Sequence, residues 1–215
     1  MQRTPGFLMF PVLALISLAA AATGDLAGDL LAVQHAWEHV HYQVPEKQQA
    51  AAFANVESLA DEVAKDHPDR AEPLVWKAIV LSTHAGAQGG FGALKMVREA
   101  RDLLEQAEKI DPTSLGGSIY TTLGSLYYQV PGWPIGYGDD KKAEAYLKKA
   151  LSINPDGIDP NYFYGDYLYR KGDYPGAMTA LRKALQAPPR PERPLADAGR
   201  RKEIQALIDK INTKS

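Results

Sequence analysis

The chain has 215 residues, 45% hydrophobic and 23% charged, which suits one or two packed domains and argues against global disorder. With 24 Lys and Arg against 26 Asp and Glu the formal net charge is −2, and no basic run offsets it, so a counterion-driven grip on nucleic acid is not expected. Cysteine is absent, so disulfides, thiolate nucleophiles, thiolate metal sites and an acylated-cysteine anchor are excluded for this sequence.

Residues 1–22 stand apart from the rest. Arg3 precedes an apolar run from Phe7 to Ala22 that ends in Ala20, Ala21 and Ala22. The pattern predicts a secretory signal peptide over 1–22, hence a periplasmic or secreted protein with no membrane insertion after cleavage. The run is about 16 residues, short of the roughly 20 that span a bilayer as a helix. An uncleaved N-terminal tether is the other reading.

Residues 23–215 read as a single helical repeat domain. Apolar periodicity predicts helices near 25–42, 46–65, 71–85, 91–109, 115–129, 140–152, 160–171, 174–186 and 196–212. The first contains His35-Ala36-Trp37-Glu38-His39, which fits the H-x-x-E-H string of inverted zinc proteases. Two histidines four apart share a helix face, but a hydrolytic zinc site also needs a third ligand and an open position. His41 is off that face, so the string reads as a helix surface. No metal, cofactor or catalytic residue is expected, and no motif points to an enzyme.

Three segments further on share one spacing: Ala100, Leu104, Ala107, Pro112; Ala143, Leu147, Ala150, Pro155; Ala177, Leu181, Ala184, Pro189. Steps of four and three place the apolar residues on one helical stripe, and the proline ends the helix. Small residues are expected where two helices cross closely, with a glycine opposite. Gly124 and Gly165 stand in the preceding helices at that place, and Gly172-Asp173-Tyr174 forms a short turn. These residues resemble the tetratricopeptide repeat (TPR) family, with the best repeats about 117–155 and 158–189 and Asn161 in place of the usual tryptophan. The segment 71–112, with Trp76 and Ala78, is a more degenerate copy, and 25–68 shows only apolar periodicity. The resemblance implies an all-α, right-handed α-superhelix of about four helix–turn–helix hairpins. A C-terminal capping helix, 196–212, should cover the open end with Ile204, Leu207, Ile208 and Ile211.

Two insertions interrupt the repeat. Gly86-Ala87-Gln88-Gly89-Gly90 reads as a lengthened, flexible turn. Pro131-Gly132-Trp133-Pro134-Ile135-Gly136-Tyr137 reads as a compact loop, either a lip presenting Trp133 and Tyr137 to a partner or a seal between hairpins. Asp139 and Asp140 follow as N-cap candidates. The stretch from Pro131 to Ala150 also resembles the TatT component of tripartite ATP-independent periplasmic transporters. That family implies an auxiliary subunit beside a solute-binding protein, and a possible homo-oligomer.

In tetratricopeptide stacks the first helix of each pair lines a concave groove. The helical phase places Thr121, Ser125, Tyr128 and Gln129, then Tyr162, Asp166, Tyr169 and Arg170, on that wall. The expected partner is therefore a protein or peptide, bound by Tyr128, Gln129, Trp133, Tyr137, Tyr162, Asp166, Tyr169 and Arg170 in the groove of a periplasmic scaffold. An auxiliary transport subunit is the alternative.

Overall fold

An alanine–leucine–alanine stripe is buried only if the facing helix is thin enough to admit the leucine. The computed structural model, which describes residues 25–214, shows how this chain meets that condition. The expected signal peptide, 1–22, lies outside the described residues. The described residues form α1 (Leu26–Gln43), α2 (Glu46–Asp66), α3 (Ala71–Gln88), α4 (Gly90–Ile110), α5 (Ser114–Gln129), α6 (Asp140–Ile153), α7 (Ile158–Arg170), α8 (Tyr174–Leu185) and α9 (Pro194–Asn212). Each expected helix is present, and among the described residues the only extended pairing is an isolated bridge between Gly132 and Gly138. No described helix is long and apolar enough to cross a membrane.

The helices pair in order as α1–α2, α3–α4, α5–α6 and α7–α8, and α1, α3, α5 and α7 touch in sequence as one layer. The stripe residues Ala100, Leu104, Ala107, Ala143, Leu147, Ala150, Ala177, Leu181 and Ala184 are all fully buried. A Cβ on Gly124 would fall 2.6 Å from Leu147 Cγ, and one on Gly165 would fall 2.8 Å from Leu181 Cγ. Leucine and glycine are therefore a fitted pair in each hairpin, and the packing leaves no slack for a methyl group. Asn161, where the repeat usually carries tryptophan, instead ties the turn before α7 by donating to Pro155 O and Gly157 O at 2.8 Å.

Sequence and structure differ at three junctions. The glycine-rich segment 86–90 is not a lengthened turn. Helix α3 runs through Gly86 to Gln88, and the reversal is made by Gly89 and Gly90, both with φ near +66°. Helix α5 opens with a left-handed turn over Leu115, Gly116 and Gly117, which two glycines make accessible. Of the two cap candidates, Asp139 is the cap, accepting from Lys141 N at 2.9 Å and Lys142 N at 3.0 Å, whereas Asp140 bonds Lys171 Nζ at 2.8 Å.

Helix α9 covers α8 as expected, with Ile204, Leu207, Ile208 and Ile211 against Ala177, Leu181 and Ala184. The proline-rich connection before it is pinned at both ends. Arg201 donates to Leu185 O and to Ala187 O, and Asp197 accepts from both Arg190 N and Arg190 Nε at 2.7 Å. Capping is only part of its role, because α9 also reaches α7 and α1.

The fitted pairs give a direct test. Gly124→Ala should cost about 1–3 kcal/mol through overpacking against Leu147, and adding Leu147→Val should recover part of that loss. Urea denaturation of the two variants measures both; an unchanged Gly124→Ala midpoint would contradict the close crossing.

Candidate functional site

The layer of first helices faces α9 across a cavity of about 860 Å³. The cavity exists because α9 turns back to α1, and three contacts make that approach possible. Residue 199 is glycine, and a Cβ there would lie 2.3 Å from the Tyr42 ring. Buried Glu38 of α1 accepts from Ala196 N at 3.0 Å, so a side chain from α1 caps the first turn of α9. His41 Nε2 lies 3.1 Å from Glu203 Oε1.

This geometry also explains the H-x-x-E-H string. Glu38 serves the α9 amide, His35 Nε2 lies 2.8 Å from Glu192 O, and His39 Nδ1 lies 2.8 Å from Gln43 Oε1. Each of the three has its own hydrogen-bond partner, and His35 Nε2 also stands 3.7 Å from Glu38 Oε1. Among the described residues, no group of three or more His, Cys, Asp or Glu stands together to hold a metal ion.

A polar network lies where α7 meets α9. Asp159 accepts from Arg190 at 2.8 Å and from Arg200 Nε at 2.8 Å, and Arg200 also donates to Glu203 Oε2 at 2.6 Å. Removal from bulk water alone would raise the Asp159 carboxyl, but the charges of Arg200 and Arg190 outweigh it and hold it down at about 2. Burial pushes the Tyr162 hydroxyl up to about 12, against the lowering charge of Arg200. Burial likewise raises Tyr42. These phenols are therefore neutral at ordinary pH.

The structure separates the residues expected on the groove. Thr121, Ser125, Gln129, Tyr162, Asp166 and Arg170 line the cavity. Tyr128 is turned into packing, with its hydroxyl donating to Asp166 Oδ2 at 2.8 Å and its ring 5.8 Å from Tyr167. Tyr169 stands beside Tyr174, with Lys214 Nζ 4.9 Å from its ring centre. The 131–137 loop divides its two aromatic rings. Tyr137 folds back 5.4 Å from Tyr127 and donates to Val97 O at 2.7 Å, while Trp133 is 91% exposed. Glycines 136 and 138 are needed there, because a Cβ on either would fall within 2.4 Å of a backbone carbonyl oxygen.

Sequence reasoning missed Trp37 and Tyr42 of α1, Trp76 of α3, Asp159 of α7, Arg193 at the start of α9 and Arg200 within it, all of which line or bound the cavity. The available signals were small residues Ala196 and Gly199 on the face of α9 away from its isoleucines, and arginines gathered just before and within that helix.

The family model of the tetratricopeptide repeat matches residues 138–156, which hold α6 and the turns flanking it. The chain carries a tetratricopeptide repeat. The leucine–glycine crossing of that repeat, Leu147 on Gly124, recurs as Leu181 on Gly165 in the next hairpin. Among solved structures, the crystal structure of a thermophilic TPR protein from Thermus thermophilus is similar at 15% identity and a TM-score of 0.46, over 87% of this chain and 99% of that one. No curated protein sequence matches.

Two measurements test how the repeat stack is closed. Gly199→Ala should separate α9 from α1 while leaving the α8–α9 contact, seen as faster amide exchange at Ala196 with little change at Ile208. The Asp159 carboxyl has a lower pKa folded than unfolded, so its contribution is present above about pH 4 and lost as pH falls through about 2. That contribution is at most on the order of 2 kcal/mol, and acid titration of wild type against Asp159→Asn isolates it.

Proposed function

We propose that the chain is an exported interaction scaffold, periplasmic in a bacterial cell, that holds an extended protein segment against the inner face of its tetratricopeptide-type hairpins. The observation that carries this reading is the chemistry of that face. Thr121, Ser125, Gln129, Asp166 and Arg170 line an open cavity from α5 and α7, where a wall needed only for packing would be apolar. The Thr121 and Ser125 hydroxyls donate to Gly117 O and Thr122 O, which leaves their oxygens as acceptors. Hydroxyls, an amide and a charged pair in a row suit the alternating donors and acceptors of a peptide backbone. Helix α9 bounds the cavity on the far side, and the proposed occupant is a narrow, extended segment. The exported location rests on the composition of residues 1–22.

Affinity capture from the periplasmic fraction of the native host, with wild type and a Gln129→Ala/Arg170→Ala variant in parallel, tests the proposal. A protein retained by wild type and depleted by the variant, with helicity equal by circular dichroism, is the expected result. Equal retention by both would remove the inner face from the interaction.

A further inference from the structure

Three of the four arginines on the cavity wall are committed. Arg190 and Arg200 hold carboxylates at 2.6–2.8 Å, and Arg170 donates to Asp166 at 3.0 Å. Arg193 is not. Its side chain is 13% exposed, its guanidinium lies 4.8 Å from the Trp76 ring centre and 6.0 Å from that of Trp37, and its Nε is buried with no hydrogen-bond partner. The nearest carboxylate, Glu38, stands 3.7 Å away and already accepts from Ala196 N. No described residue accepts a hydrogen bond from its terminal nitrogens. A guanidinium with its Nε buried and unbonded, and its terminal nitrogens left to the cavity, is costly there unless an anion completes it. Burial, and then the neighbouring charge of Arg190, push the Arg193 pKa down against the raising charges of Asp159 and Glu38.

We propose that this cavity is a binding site for a small organic acid with one carboxylate and an apolar body, the carboxylate held by Arg193 between Trp37 and Trp76. A planar guanidinium offers paired N–H groups in the geometry that a carboxylate accepts, and its two aromatic neighbours fix its plane. One negative charge is the fitting number. Glu38, Asp159 and Glu203 already stand around the site, so a doubly charged phosphate would meet repulsion that a single carboxylate largely avoids. Trp76, Ile79, Ala87 and Leu207 supply apolar wall for the body of the ligand. The volume of about 860 Å³ falls within the range of small-molecule sites. The site uses the α1–α3–α9 side of the cavity, so it does not rest on the scaffold reading.

Calorimetric titration of the purified chain with 4-phenylbutyrate and with octanoate tests the site, using 4-phenylbutyramide and inorganic phosphate as contrasts. At least one of the two acids should bind one per chain, with the amide and phosphate weaker by about tenfold or more. Arg193→Gln should weaken the acid by a similar factor without loss of helicity. Gly86→Phe gives an independent arm, because a Cβ at Gly86 meets nothing within 4 Å and the residue lines the cavity, so that a ring there takes up part of the space beside Trp76 and Ala87. That variant should lose the acid with Arg193 intact, which keeps the test decisive even if Arg193→Gln fails to fold. Failure of both acids to bind, equal binding of amide and acid, phosphate binding as tightly as either acid, or undiminished binding by Gly86→Phe would each overturn the proposal.

Discussion

The approach of Tyr42 to Gly199 is the constraint on which the cavity depends. A methyl group at residue 199 would sit inside the tyrosine ring, and the two helices could then no longer lie at their observed separation. Without that approach Glu38 would not reach Ala196 N, and Arg193 would leave its place over the tryptophans. The repeats build a wall; the close approach at Gly199, with the Glu38 and His41 contacts beside it, turns the wall into an enclosure. A stack of hairpins that ended at α8 would present the same inner face to bulk solvent.

The two faces of α9 are held by different physics. Against α8 it buries four aliphatic side chains, an interaction that is insensitive to pH and little affected by salt. Against α1 and α7 it relies on Glu38, His41, Asp159, Arg200 and Glu203. Partly buried ion pairs stabilise little in net terms, since desolvation offsets much of the attraction, but they penalise alternative positions heavily by leaving charges unpaired. The apolar face therefore supplies adhesion and the polar face supplies register. Asp159 is the clearest case, because one carboxylate joins two arginines from the connection and from α9 and would be stranded by any shift between them.

Much of the fold was legible because repeat packing is written in local spacing. The alanine–leucine–alanine steps, the cap Asp139 and the turn at Gly172 and Asp173 each act within a few residues of chain, the facing glycines act within a single hairpin, and helix limits followed to within a turn. The groove phase was also readable, and six of the eight side chains placed on α5 and α7 by helical phase line the cavity. Tyr128 and Tyr169 depart because a partner was within reach that phase alone does not reveal: Asp166 for the first, Tyr174 and Lys214 for the second. The H-x-x-E-H string, read as a helix surface, departs at its glutamate, which is buried and answers to a backbone amide 158 residues away. Contacts of that separation leave no periodic trace, which is why the α1–α9 closure and the residues around it were not anticipated.

The long-range closure also sets what the inner wall can do. In an open stack, Thr121, Ser125 and Gln129 would compete with bulk water for any ligand, and each hydrogen bond gained would replace one already made to solvent. Facing α9 at a bounded distance, the same groups work where the effective dielectric is lower and the number of competing waters is limited. Polar contacts there are individually stronger, and leaving one unmade is also more costly, so the enclosure sharpens discrimination between ligands that match the donors and acceptors and those that do not. The chain obtains this effect without a second domain, by returning its own last helix to its first.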